Sequence, residues 1–101
     1  MSVVYEWDVE TVSATDTEAL ELGEVIDHCH CRTYAEAAAL AARTPDAGEA
    51  FEVVLVRDDD KGRSWAYMDG DTLPSHFADA NGWLVASMPK RFVVEVACRN
   101  H

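Results

Sequence analysis

Residues 51–68 read FEVVLVR, DDDKG, RSWAYM, and this stretch decides the fold. Phe51 to Arg57 is almost continuously apolar, the composition of a central strand covered on both faces. Asp58, Asp59, Asp60, Lys61 and Gly62 supply the polar side chains and the glycine of a tight reversal. Ser64 to Met68 then returns as an alternating strand with Trp65 and Tyr67 on one side. The unit is a β-hairpin built on a central strand.

Working upstream, Thr33 and Glu36 have the spacing of a capping box, and Tyr34 to Arg43 is rich in alanine. This predicts a helix whose apolar positions, Tyr34, Ala37, Ala38, Leu40 and Ala41, are mostly small and let it lie close to a sheet. Pro45 and Gly48 close it. Before the helix, Glu24 to Cys31 reads as a strand introduced by Gly23, with β-branched Val25 and Ile26. The first strand alternates cleanly, with Val3, Tyr5, Trp7 and Val9 on one side and Val4, Glu6, Asp8 and Glu10 on the other. The polar residues Ser13 to Leu22 between them read as a loop.

Downstream, Asp69 and Gly70 mark a turn and Pro74 begins a short irregular or helical stretch. Asn81 and Gly82 signal a hairpin before a strand over Trp83 to Met88. After Pro89, the alternation of Phe92, Val94, Val96 and Cys98 reads as a last strand, with a helix starting at Pro89 as the alternative. The order of elements predicts an α+β fold, an antiparallel sheet of about 4–6 strands with one main α-helix packed on a face.

At 101 residues the chain supports one core and is read as a single domain, residues 1–101. Its longest uncharged apolar run, Ala37 to Ala42, is far short of the roughly 20 residues that cross a bilayer. Glu6 and Asp8 interrupt the start before any apolar segment of a secretion signal forms. An odd number of cysteines, Cys29, Cys31 and Cys98, fits a reducing compartment. A cytoplasmic location is therefore expected.

Nineteen acidic residues against eight basic ones give a net charge of −11, more than the magnitude of about 2–8 that keeps a small domain soluble. Such a field repels nucleic acid and anionic membranes and attracts basic surfaces. The acids are concentrated: Glu6, Asp8, Glu10, Asp16, Glu18, Glu21, Glu24 and Asp27 precede the first base, Arg32. Glu6, Asp8 and Glu10 share one strand face at a spacing near 6.7 Å. Duplex DNA carries one charge per roughly 1.7 Å of axis, so mimicry of a phosphate backbone needs neighbouring acids to add in, with Glu18, Glu21, Glu24 and Asp58 to Asp60 as candidates. A solvated acidic face and a docking surface for a basic partner are the two readings of this charge. The docking reading assigns partner contacts to Glu6, Asp8, Glu10, Asp16, Glu18, Glu21 and Glu24.

His28, Cys29, His30 and Cys31 place four metal-binding residue types in a row. In a strand the histidines face one way and the cysteines the other, so only two reach one ion. A closed site needs further ligands from Asp27, His76, Cys98 or His101. The favoured reading is buried thiols with exposed histidines and no cofactor, and the alternative is a small metal-binding or redox-responsive module. Cys29 or Cys31 with His76 does not define a catalytic pair. No phosphate-binding glycine loop, serine elbow or metalloprotease spacing is present, and Lys61 and Gly62 break any calcium-loop pattern after Asp58 to Asp60. No enzyme is expected. The aromatic residues fall at strand positions and read as core, and Lys90 with Arg91 is too small a basic pair for nucleic-acid binding.

Small size, strong acidity, a compact α+β plan and the lack of a catalytic motif together resemble the small proteins that bacteriophages encode against host defence, notably the anti-CRISPR proteins. The resemblance covers overall character, without aligned residues. It implies a non-enzymatic inhibitor, working in the host cytoplasm, that occupies the positively charged DNA-recognition surface of a CRISPR effector.

Overall fold

The computed structural model describes residues 2–14 and 22–99. In chain order its elements are β1 (Val4–Ala14), β2 (Leu22–Cys31), α1 (Tyr34–Ala41), β3 (Glu49–Asp59), β4 (Gly62–Tyr67), β5 (His76–Ala78), β6 (Leu84–Ser87) and α2 (Lys90–Arg99). The six strands form one open sheet in the order β2-β1-β3-β4-β5-β6, and every adjacent pair is antiparallel. The expected α+β class and antiparallel sheet are what the chain adopts.

The 51–68 hairpin sits where its apolar run requires. β3 is flanked by β1 and β4, and Val54, Leu55 and Val56 are buried. Asp59 pairs with Gly62 across a two-residue loop, and its carboxylate accepts hydrogen bonds from the Lys61 and Gly62 amides. Gly62 adopts φ 138°, a region open to glycine and strained for other residues.

Both helices cover the same sheet face. Tyr34 and Ala37 of α1 and Phe92 and Val96 of α2 pack with Trp7, Val9, Leu55, Ala66 and Phe77. Ring contacts tie the layers: Trp7 lies 5.0 Å from Tyr34, and Phe92 lies 5.0 Å from Tyr5 and 6.0 Å, edge-on, from Trp7. The predicted cap is present, with the Glu36 amide donating to Thr33 Oγ1. Glu36 in turn accepts from the Arg32 amide and Glu95 from the Tyr34 amide, so side chains take up the Tyr34 and Glu36 donors at the start of α1.

Three elements differ from the sequence reading. Residues 90–99 form a helix and not a strand. Phe92 and Val96, one turn apart, are buried while Val93 and Val94 are exposed, so the stripe that matters has helical period and the β-branched alternation was incidental. The loop read over Ser13 to Leu22 is shorter, because β1 runs on through Val12, Ser13 and Ala14, pairing with β3 at Val12↔Ala50 and Ser13↔Glu49, and β2 begins at Leu22. Residues 15–21 lie outside the described residues. After Pro74, His76 to Ala78 form a short strand whose Phe77 is completely buried. Among the described residues, no helix is long and apolar enough to cross a membrane.

Candidate site on the open sheet face

Among the described residues, no helix lies on the other sheet face. Strand alternation puts Trp7, Val9 and Leu55 under the helices, and therefore Glu6, Asp8, Glu10, Glu52, Val54 and Val56 on the open side. Register then brings in β2 and β4: Asp8 lies opposite His30, Glu10 opposite His28, Val54 opposite Tyr67 and Val56 opposite Trp65. Val54 and Val56 are nevertheless buried. Their cross-strand neighbours, Asp8 and Tyr67 for Val54 and Glu6 and Trp65 for Val56, reach further from the backbone and flank them. The face is thus a polar and acidic layer laid over a thin apolar floor.

The row of acids resolves into two groups. In the first, His30 Nδ1 lies 2.7 Å from Asp8 Oδ1 and 3.2 Å from Glu6 Oε1. Asp8 is only 8% exposed, so its carboxylate is committed to His30. The hydrogen bond to Asp8, with the charges of Asp8 and Glu6, raises the pKa of the His30 imidazole. His28 packs beside it, with ring centroids 5.2 Å apart and nearly perpendicular.

The second group is Glu10, Glu52 and Tyr67. Glu10 and Glu52 are direct cross-strand partners, and the Tyr67 hydroxyl donates to Glu10 Oε1 at 3.3 Å. Burial, with the charge of Asp8, raises the Glu10 pKa against the opposing pull of the Tyr67 hydrogen bond and His28. Burial and then the charge of Glu10 raise that of Glu52. Tyr67 is pushed up to about 12 by burial and by the neighbouring Glu10 charge. Among the described residues no lysine or arginine forms an ion pair with Glu6, Asp8, Glu10 or Glu52.

Of the residues expected to contact a partner, Glu6 is exposed and Glu10 half-buried on this face, and Asp8 lies beneath them. Glu24 is exposed at the far end of β2. Asp16, Glu18 and Glu21 lie outside the described residues. The Asp58 to Asp60 turn adds little, since Asp58 pairs with Arg63 at 3.2 Å and Asp59 with Arg57 at 2.6 Å. Two members of the site, Glu52 and Tyr67, were missed. Glu52 is the one charge within the apolar run Phe51 to Val56, and Tyr67 alternates with Trp65. Those were the available signals.

The cysteines stand apart from this face. The histidines and cysteines of β2 do face opposite ways, and Cys31 packs against the helix-covered core. The expectation of buried thiols is corrected, because Cys29 and Cys98 are exposed and Cys31 is half-buried: Cys29 is on an edge strand that α1 only partly covers, and Cys98 lies on a helix. Burial raises the Cys31 pKa, with the neighbouring Cys29, Glu36 and Asp8 adding to it, which keeps it a protonated, weakly nucleophilic thiol.

No protein-family model, curated protein or solved structure matches the chain. The functional reading therefore rests on the chemistry of this face.

Proposed function

We propose that the chain is a non-enzymatic inhibitor whose open acidic sheet face, centred on Glu6, Glu10 and Glu52, docks on a basic nucleic-acid-binding surface of a partner protein. The observation that carries this reading is the Glu10–Glu52 pair. Two carboxylates directly opposite each other in a sheet are destabilising by up to about 1 kcal/mol, and among the described residues no lysine or arginine is ion-paired with either. A face selected for stability alone would carry a lysine at one of the two positions. A basic partner supplies the missing cations, and the carboxylates then occupy the positions that phosphates take on that partner.

The partner class that fits the anti-CRISPR resemblance is a CRISPR effector, blocked at its DNA-recognition surface. The test measures target-DNA binding by a panel of purified guide-loaded effectors with increasing amounts of the chain. The native protein is expected to displace DNA from at least one effector, with potency falling steeply as salt rises. The triple variant Glu6→Gln, Glu10→Gln, Glu52→Gln is expected to lose the effect while keeping its circular dichroism spectrum. Equal inhibition by the neutral variant, or none by the native chain on any effector, defeats the proposal.

A further inference from the structure

Asp8 is the one buried side chain of an acidic or basic residue among the described residues, and a buried acidic group is ordinarily paired, hydrogen-bonded or bound to a metal ion. Here neither lysine nor arginine pairs with it; its partner is His30, which also meets Glu6. One donor atom from each of Glu6, Asp8 and His30 lies within 4.8 Å of the others. Glu6 and Asp8 are two residues apart on β1, and His30 is the cross-strand partner of Asp8 on β2. Three donors are thus aimed at one point by two paired strands, on backbone the sheet holds rigid. His28 stands against His30 on the same face and offers a second imidazole.

From this arrangement we infer that Glu6, Asp8 and His30 form a binding site for a first-row divalent transition-metal ion of the zinc class. The donor set decides the class. Magnesium and calcium take oxygen ligands, whereas one or two imidazoles with carboxylates select zinc, cobalt or nickel. The fit is close. Donors about 2.1 Å from a tetrahedral ion stand about 3.4 Å apart, and the present separations from His30 Nδ1 are 2.7 and 3.2 Å. A spread of about 0.7 Å at Asp8 and about 0.2 Å at Glu6 admits the ion. Glu6 and His30 are exposed, so the site opens to solvent and leaves coordination positions free. The cysteines are excluded, because Cys31 and Cys29 project from the opposite side of β2.

The inference goes beyond the docking reading and does not rest on it. Its test uses the chain alone, with Zn²⁺ or Co²⁺ as the probe in calorimetric titration and equilibrium dialysis. One ion per chain is expected, with millimolar Mg²⁺ failing to compete. His30→Ala is expected to weaken binding at least about 100-fold, since loss of a mere supporting group already costs 10–100-fold. Glu6→Gln, at an exposed position, is expected to weaken it at least about 10-fold, since a neutral amide oxygen remains where the carboxylate stood. Cys29→Ser and Cys98→Ser should bind as the native chain does. On Zn²⁺ addition the ring resonances of His30 should shift while those of His76, on β5, stay. Absence of uptake, full uptake by both Glu6→Gln and His30→Ala, or loss of uptake in Cys29→Ser would overturn the assignment.

Discussion

Replacing Glu52 by glutamine should make the protein more stable. Glu10 and Glu52 face each other across β1 and β3, which sets their Cβ atoms about 5 Å apart. With the charges about 6 Å apart, Coulomb's law gives about 0.7 kcal/mol of repulsion at the dielectric constant of water and about 2.8 kcal/mol at an effective constant of 20. Both side chains are half-buried, and directly opposed pairs in sheets contribute about 0.2–1 kcal/mol. A gain of about 1 kcal/mol at pH 7 and low salt is the expectation. In a domain of this size that is a rise in Tm of about 4–8 °C. Glu52 is the right member to change, because Glu10 holds the hydrogen bond from Tyr67.

The pH dependence identifies the cause. Both carboxyl pKa values are raised above 4.5 in the folded state, so the fold binds protons more tightly than the unfolded chain does. Their contribution to stability is fully present below pH 4.5 and is lost as pH rises through the raised values. The native protein should therefore lose stability over that interval, and Glu52→Gln should lose less. The advantage of the variant should shrink toward zero below pH 4 and in 1 M salt, where the screening length is about 3 Å. Denaturant unfolding of both proteins at three pH values and two salt concentrations measures this. A variant less stable than the native chain at pH 7, or a gain indifferent to pH and salt, would refute the like-charge reasoning.

Further outcomes follow from the same geometry. The Tyr67 phenol should titrate near 12, and Glu10→Gln should bring it part of the way back toward 10, because burial, its largest cause, remains; difference spectra against Tyr67→Phe isolate the signal. Asp8→Lys should destabilise by about 3 kcal/mol or more by burying an unpaired charge, whereas Glu6→Lys, at an exposed position, should stay within about 0.5 kcal/mol, as denaturant midpoints would reveal. Phe77→Ala should cost about 3–5 kcal/mol although its strand is only three residues long, and a smaller loss would mean that β5 is peripheral to the core.

Much of the fold was legible because its signals are local. The 51–68 hairpin, the Thr33 cap and the alternation from Val3 to Glu10 are each written within a few neighbouring residues. The final segment shows where this ends. Phe92, Val94 and Val96 satisfy a strand template and Phe92 with Val96 a helical one, and nothing inside the segment chooses between them. The choice lies in the partner surface: Tyr5, Trp7 and Phe77 form an aromatic floor that a helix covers and a further edge strand would leave open.

The candidate site was half legible for a related reason. That Glu6, Asp8 and Glu10 share a face follows from period two. What stands beside each of them depends on register, and a slip of one residue in β2 would present Cys29 and Cys31 to the acids in place of His28 and His30. The same holds for β3, where a one-residue slip would move Glu52 to the helix side and set Phe51 or Val53 opposite Glu10. The conversion of a row of like charges into a His30-bound Asp8 and a directly opposed Glu10–Glu52 pair is thus a property of strand pairing. It follows that the bulk charge of −11 is a poor guide to what the face can bind. Asp8 contributes fully to that number and is almost entirely covered, while Glu52, hidden in an apolar run, stands directly opposite Glu10 on the open face.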